Sequence, residues 1–326
     1  MKLITIKILC LLFALQSYAM MPETQAILDL YQPTEKLATL KSEYDFWKKK
    51  STAHPTQHAF KVQLANANTA LFSATAELKY LKEAEYLLEA VRTAESNQKA
   101  STLRALAHNF ISQHRFCEAM NLVLRAQEIG SEKRATDLML FDLYEELGDD
   151  AAQKNTLAKL AEQQDFNYYI RLAKWQDGQG NLDQTIELMK VAEKIAETSK
   201  QTALKIWVYT NLADYYGHAG EIATSKSYYL KALALNSADW YSMKGLAWMA
   251  YANDRDPQAA IAILDKIATK SADPGISLLK AEILAYTGQT KAAHHKHNEV
   301  AKLVSQADYG NMYNSFLCEH YLQTNK

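Results

Sequence analysis

Apolar residues recur along this chain at helical spacing, in pairs of stripes separated by short polar turns. The 34-residue stretch Ile206–Asp239 shows the pattern most clearly. Its first stripe occupies positions i, i+3, i+4 and i+7, which lie on one face of an α-helix. The residues of this stripe are Tyr209, Leu212, Ala213 and Tyr216. We therefore predict an amphipathic helix that buries this face.

A second apolar stripe follows a turn that contains Gly220. Glycine adopts the left-handed backbone conformation at little cost, so we expect Gly220 to end the first helix. The small residues Ala213 and Ser225 should let the two helix backbones approach each other. Neither helix can bury its stripe alone, so neighbouring helix pairs must cover it. The residues of the second stripe are Ala223, Tyr228, Tyr229, Ala232 and Leu233.

The same spacing recurs along most of the chain, with steps of 35, 34, 32, 40, 34 and 34 residues between successive helix pairs. Their predicted first positions are Ala65, Ala100, Arg134, Phe166, Ile206, Trp240 and Pro274. The spacing within each unit resembles the W-x2-L-G-x2-Y…A-x3-F…P pattern of the tetratricopeptide repeat (TPR) family. The resemblance implies an all-α solenoid of about seven helix-turn-helix repeats in a right-handed superhelix, with capping helices at both ends. The 40-residue step predicts a longer helix or loop around residues 196–203.

We divide the sequence into four segments. Residues 1–19 are predicted to be a signal peptide, and residues 20–64 an N-terminal capping helix with a linker. Residues 65–307 form the predicted repeat array, and residues 308–326 a C-terminal capping helix, because an open solenoid end needs an apolar inner face to be covered.

The first segment, Met1–Ala19, has the composition of an export signal. Lys2 and Lys7 form a basic start, an apolar run follows, and small residues precede the predicted cleavage point. The apolar run is too short to span a bilayer comfortably, so we expect cleavage and no integral membrane segment afterwards. This predicts an exported protein, periplasmic or secreted, of bacterial type.

Composition and charge narrow the choice of partners. Among 326 residues there are only 10 glycines and 5 prolines, which favours helices over sheets. The formal net charge is −1, so no strong field attracts nucleic acid or anionic lipid. We therefore expect a protein or peptide partner and no nucleic acid.

In the family that the chain resembles, the first helix of each repeat lines a concave groove. The resemblance implies groove positions in units four to six that combine cations, an amide and large aromatic side chains. Cations and the amide would hold backbone or carboxylate oxygens of a peptide, and the aromatic residues would hold its side chains. The alternative, that these positions only solvate a groove, stays open. The candidate residues are Arg171, Lys174, Trp207, Asn211, Asp214, Tyr241, Lys244 and Trp248.

Candidate chemistry elsewhere is weak. There is no glycine-rich phosphate loop, no G-x-S-x-G and no H-E-x-x-H motif, so we predict no catalytic residue, no cofactor and no enzyme activity. His294 and His297 are three residues apart and could share a metal with His320 or Cys318, but His297 also occupies a core position of unit seven. No metal site is predicted, and this pair is kept as the alternative. Cys117 and Cys318 are expected to be unpaired and partly buried, near opposite ends of the array.

Three functions follow from these observations. The first is a non-catalytic scaffold that binds a protein or peptide through the concave groove, in the cell envelope or the extracellular space. The second is a structural subunit of an envelope complex that packs through its convex face or its ends. The third is a metal-dependent protein that uses the run from His294 to His297.

Overall fold

The computed structural model describes residues 22–324, and the predicted signal peptide, residues 1–19, lies outside this range. Within it the chain folds into helices joined by short turns, without a strand. The helices are α1 (Pro22–Leu30), α2 (Thr34–Ala53), α3 (His58–Thr75), α4 (Leu78–Ala94), α5 (Ala100–Ser112), α6 (Phe116–Ile129), α7 (Lys133–Leu147), α8 (Asp150–Leu160), α9 (Phe166–Gly178), α10 (Leu182–Thr198), α11 (Thr202–His218), α12 (Ile222–Leu235), α13 (Trp240–Ala252), α14 (Pro257–Ala268), α15 (Pro274–Tyr286), α16 (Thr290–Gln306) and α17 (Asn314–Thr324).

Seven helix pairs form the body of the molecule, from α3–α4 as unit one to α15–α16 as unit seven. The two helices of each unit pack on each other, and the second helix also packs on the first helix of the next unit. The expected all-α solenoid is confirmed. Each apolar stripe is covered by the neighbouring unit, as the pattern requires.

The pair α11–α12 shows why the sequence folds this way. Gly220 has φ +76° and ends the turn between the two helices, as predicted from its sequence position. Ala213 and Ser225 are buried where the helices meet, and the Ser225 hydroxyl donates a hydrogen bond to the Ala213 carbonyl oxygen. The small residues therefore allow a close approach that a larger side chain would prevent.

Some element boundaries differ from the sequence prediction. Helix α3 begins at His58 rather than Ala65, because no helix-breaking residue lies between them, so the 20–64 segment contains α1, α2 and the start of α3. The long step between units four and five reflects two 17-residue helices, α10 and α11, and α11 begins at Thr202 rather than Ile206.

The N-terminal helices close back onto units five to seven. Helix α1 packs against α14, and its residue Ile27, with Tyr31 just after it, is buried in the core of the later units. The Trp240 indole nitrogen donates to the Ser73 carbonyl oxygen at 2.9 Å, and the Ala272 amide donates to the Thr75 carbonyl oxygen at 2.7 Å. The end of α3 therefore lies against the start of units six and seven, which completes a turn of the superhelix.

The segment before α17, residues 308–313, is here called the tail loop, and it contacts unit two. The Asn311 amide donates to the Gln113 carbonyl oxygen at 2.9 Å, and the Asn311 side chain donates to the His114 carbonyl oxygen at 3.2 Å. An ion pair of 2.6 Å also joins Asp308 to Lys82, which lies on α4 of unit one. The predicted C-terminal capping helix thus begins only at residue 314, and the loop before it connects the two ends of the array.

We expect Gly310→Val to release the tail loop from unit two. Gly310 has φ +63°, and a Cβ atom there would lie 2.6 Å from the Gln113 carbonyl oxygen. Strain and clashes of this kind cost on the order of 1–3 kcal/mol, so hydrogen exchange across residues 308–324 should accelerate about tenfold or more. Mass spectrometry would measure the exchange.

The matched control is Gly180→Val. Gly180 has φ +79°, but no neighbouring atom lies within 4 Å of the position that a Cβ atom would take there. This variant therefore carries the backbone strain without the contact. Equal hydrogen-exchange rates of residues 308–324 in the two variants would show that the close approach of Gly310 to Gln113 does not hold the tail loop.

Candidate peptide-binding groove

First helices of successive units approach each other at α7–α9, α11–α13 and α13–α15, whereas second helices pack onto first helices. The first helices therefore form the inner, concave surface of the array. We call the part of this surface on α9, α11, α13 and α15 the groove. All eight candidate residues from the sequence lie on α9, α11 or α13.

In unit four, Arg171 is fully engaged within the protein. Its side chain is buried and forms an ion pair of 2.5 Å with Asp142 on α7. The same guanidinium donates to the carbonyl oxygens of Leu138 at 3.1 Å and Asn167 at 3.2 Å. Because its donors are used to join α7 to α9, Arg171 contributes to the structure of the groove rather than to its free surface.

The other two candidate cations are also paired. Lys174 lies 3.0 Å from Glu145, and Lys244 lies 3.1 Å from Asp273. In each case the carboxylate comes from a neighbouring first helix or from the residue that caps it. To hold a carboxylate of a ligand, as the sequence suggested, these lysines would have to exchange an existing partner.

Trp207 and Asn211 also make internal contacts. Trp207 is half-buried against the core, with its ring 5.9 Å from that of Phe166 in an edge-on arrangement. The Asn211 side-chain nitrogen donates to the Trp207 carbonyl oxygen at 2.8 Å, one turn earlier in the same helix. These two residues shape the wall of the groove near α9.

The structure brings four of the candidates together in one cavity of about 420 Å³ between α11, α13 and α15. We call this cavity the aromatic cleft. Its volume lies within the range of roughly 300–1,000 Å³ typical of ligand sites. His218 also lines it, at the end of α11. The candidates in the cleft are Asp214, Tyr241, Lys244 and Trp248.

Small residues form part of the cleft wall, and three of them, Gly217, Gly245 and Gly275, were not among the candidates from the sequence. A Cβ atom at Gly245 would overlap the ring of Tyr229, which enters the cleft from α12. Only glycine leaves room for this ring. The sequence did carry a signal, which is a glycine inside a predicted helix. Glycine there destabilises a helix by roughly 1 kcal/mol relative to alanine, so its presence indicates a packing requirement.

Asp214 organises the base of the cleft. The Tyr229 and Tyr241 hydroxyls donate to its two carboxylate oxygens, the second at 2.7 Å. Burial, and then the charge of Asp214, raises the pKa of both tyrosines, so both remain protonated donors at physiological pH. Within residues 22–324 no basic side chain lies within 4.0 Å of the Asp214 carboxylate.

Two aromatic side chains that line the cleft remain accessible, because Tyr241 is 42% exposed and Trp248 is 44% exposed. Tyr286, at the end of α15 and outside the cleft lining, is 58% exposed. Tyr286 packs edge-on against Tyr251, with ring centroids 5.2 Å apart. Large aromatic residues grouped in this way on a concave surface are typical of interaction sites rather than of ordinary protein surface.

The histidine alternative receives no geometric support. In the described part of the chain, no group of three or more histidine, cysteine, aspartate or glutamate side chains is placed to hold a metal ion. His297 lies against Phe316, with ring centroids 6.0 Å apart. Burial, followed by the nearby His294 and His320, lowers its pKa. His297 therefore packs against α17, whereas His294 is exposed.

The two cysteines described are unpaired, as expected. The expectation that they are partly buried is wrong, because both are exposed. Cys117 is the second residue of α6, and Cys318 lies on α17, which has no buried residue. Neither helix buries the face that carries its cysteine.

None of the helices within residues 22–324 combines the length and the apolarity that a bilayer span requires.

No protein-family model and no curated protein matches the sequence. A solved tetratricopeptide repeat protein from Parabacteroides merdae is similar in structure, with a TM-score of 0.51 over 85% of this chain and 98% of that one. The two sequences are 15% identical. The chain has the tetratricopeptide repeat fold.

Two further solved structures are similar to this tetratricopeptide repeat chain. A human IFIT1 dimer with PPP-AAAA gives a TM-score of 0.60 at 13% identity, over 89% of this chain and 70% of that one. The APC/C hetero-tetramer Cut9-Hcn1 gives a TM-score of 0.55 at 14% identity, over 83% of this chain. The match spans only half (50%) of the length of the other chain. At these identities the likeness establishes the fold alone.

Proposed function

We propose that this chain is a non-catalytic scaffold that binds an extended segment of a partner protein in its concave groove. The observation that carries the proposal is the aromatic cleft, where Tyr241 and Trp248 line a cavity and stay exposed. Exposed aromatic side chains that can be desolvated by a partner supply much of the energy of protein–protein binding. The tetratricopeptide repeat fold supports the proposal, because it presents first helices on an extended concave surface.

The cleft offers the groups that a peptide needs. Its aromatic walls can cover an apolar side chain, and the polar groups at Asp214, Lys244 and His218 can orient the segment. We further propose that the protein acts in the cell envelope or outside the cell, a proposal that depends on the sequence of residues 1–19 alone.

A structural subunit that binds through its ends is the second candidate. It is favoured by the exposed apolar end of α17, where Tyr321 is 47% exposed and Leu322 is 73% exposed. This surface lies outside the groove, so the two candidates can be separated by substitution.

We expect the double variant Tyr241→Ala, Trp248→Ala to lose partner recovery. Truncation of an aromatic residue at the centre of an interface commonly costs about 2 kcal/mol or more, which corresponds to roughly a thirtyfold loss of affinity. Both side chains are more than two-fifths exposed, so the melting temperature should change little. Cross-linking in the expressing cells, followed by quantitative mass spectrometry of the tagged protein, would measure recovery.

The matched control is Tyr86→Ala, because Tyr86 is an exposed tyrosine on α4, outside the groove. Recovery that falls in the double variant and not in the control supports the groove. Recovery that persists in the double variant but falls in Tyr321→Ala, Leu322→Ala would move the binding surface to α17 and reject the proposed groove.

A further inference from the structure

Among the side chains of the groove helices that form no internal ion pair, carboxylates outnumber basic groups. The three candidate cations of α9 and α13 each have a carboxylate partner, as described above. Three carboxylates on the first helices of units four, five and seven have no basic side chain within 4.0 Å among the described residues. These are Asp177 on α9, Asp214 on α11 and Glu282 on α15. On the same helices Lys280 is paired with Asp265, and among the described residues Lys205 on α11 is the one lysine or arginine without such a partner. Three carboxylates against one lysine leave excess negative charge on these helices, beside exposed aromatic rings.

Tyr215 on α11 lies near two of these carboxylates, Asp177 and Asp214, and near Glu145, which is paired with Lys174. Burial raises the pKa of Tyr215, and the charges of Asp177, Glu145 and Asp214 raise it further. Carboxylates of units three, four and five therefore act together on one point of α11. A partner that carried carboxylates or phosphates would be repelled along this part of the groove.

The aromatic cleft combines this charge with walls that suit a long basic side chain. Asp214 lies at its base, and the rings of Tyr241 and Trp248 border its mouth. The aliphatic part of a lysine or arginine side chain can pack on such rings while its charged end reaches a carboxylate. The structure already shows such a pairing nearby, where the Lys244 ammonium lies 5.2 Å from the centre of the Trp240 ring and 3.1 Å from Asp273.

We infer that the aromatic cleft binds a lysine or arginine side chain, so that the bound segment is a basic, apolar peptide rather than an acidic one. The inference rests on the proposed scaffold function and names the chemistry of its partner. It replaces the expectation, drawn from the candidate cations and the amide, that the groove holds backbone or carboxylate oxygens of a peptide. It also disfavours single-stranded nucleic acid, whose phosphates need unpaired cations.

Random peptides displayed on phage and selected on the full chain test the inference without requiring the natural partner. We expect enriched peptides to carry lysine or arginine next to apolar or aromatic residues, and to lack aspartate and glutamate. Synthetic copies of the enriched peptides then give dissociation constants by fluorescence anisotropy.

Asp214→Asn is the decisive variant. The amide keeps an oxygen that can accept from a tyrosine hydroxyl but removes the charge, and we expect affinity for the basic peptides to fall about tenfold. The matched control is Asp183→Asn, which removes a carboxylate on the second helix α10, outside the groove, and should leave affinity unchanged. Circular dichroism would show that both variants fold.

The outcomes separate the inference from the function on which it rests. Acidic or uncharged peptides that bind the wild type but not Tyr241→Ala, Trp248→Ala would overturn the basic partner and leave the scaffold. Basic peptides that bind Asp214→Asn and the wild type with equal affinity would also overturn the basic partner and leave the scaffold. Failure to enrich any peptide, or equal binding to the double alanine variant, would reject the groove itself.

Discussion

Replacing Phe141 with alanine is expected to lower the free energy of unfolding by about 3–5 kcal/mol. Phe141 on α7 is completely buried and packs against Leu157 and Leu160 on α8. Removing the ring loses its transfer free energy and leaves a cavity that the rigid helix pair can fill only in part. Urea denaturation followed by circular dichroism would measure the change.

The same substitution at Phe46 is the control for Phe141→Ala. Phe46 on α2 is 52% exposed, so Phe46→Ala should change the unfolding free energy by less than about 1 kcal/mol. A small effect at Phe141 would mean that unit three is less tightly packed than its burial indicates. Unit three is an informative place for this experiment, because its apolar positions, such as Leu140, Phe141 and Leu157, match the repeat pattern less well than those of unit five.

Arg171→Glu is the second substitution with a large expected effect. We expect it to lower the free energy of unfolding by on the order of 3 kcal/mol. The new carboxylate would face Asp142 in a buried position and would leave the Leu138 carbonyl oxygen without its donor. Arg125→Glu is the control, because Arg125 is 38% exposed and forms an ordinary surface pair with Glu128. Differential scanning calorimetry should show a lower midpoint for Arg171→Glu than for Arg125→Glu.

If the two arginine variants melt alike, the buried ion pair contributes little and Arg171 is free to act in binding. If Arg171→Glu is destabilising as expected, a loss of binding in this variant would reflect a loss of stability. The variant therefore tests folding and cannot test partner recognition. Substitutions of exposed cleft residues, such as Tyr241 and Trp248, are the appropriate probes of a partner.

The sequence predicted the fold because each helix pair carries its own local signal. Helices begin at Ala100, Phe166, Trp240 and Pro274, the positions expected from the repeat spacing. The spacing predicts less where consensus positions are weak: the first position of unit one is predicted at about Ala65, and α3 begins seven residues earlier, at His58. Helix ends there depend on the absence of a breaking residue rather than on the repeat pattern.

The candidate site was predicted less completely, since its chemistry depends on which groups face each other across units. Arg171 and Asp142, Lys174 and Glu145, and Lys244 and Asp273 are each 29 residues apart in the chain. The sequence contained this signal, because a constant separation slightly shorter than the repeat joins neighbouring first helices. Side-chain types alone did not reveal that the cations were already neutralised.

The approach of the two ends could not be predicted from any single repeat. It depends on the rotation between units, summed over the whole array, and small differences per unit accumulate. The contacts of Ser73 with Trp240, and of the tail loop with unit two, appear only when all units are in place.

These contacts between distant units change how the molecule should come apart. In a linear array each unit touches only its neighbours, so the terminal units fray first and stability is nearly a sum of local terms. Here the bonds of Asn311 to Gln113, and of Ala272 to Thr75, tie each end to units far away in the chain. Neither terminus can peel off independently, so we expect the solenoid to melt in a single cooperative step, as globular domains do.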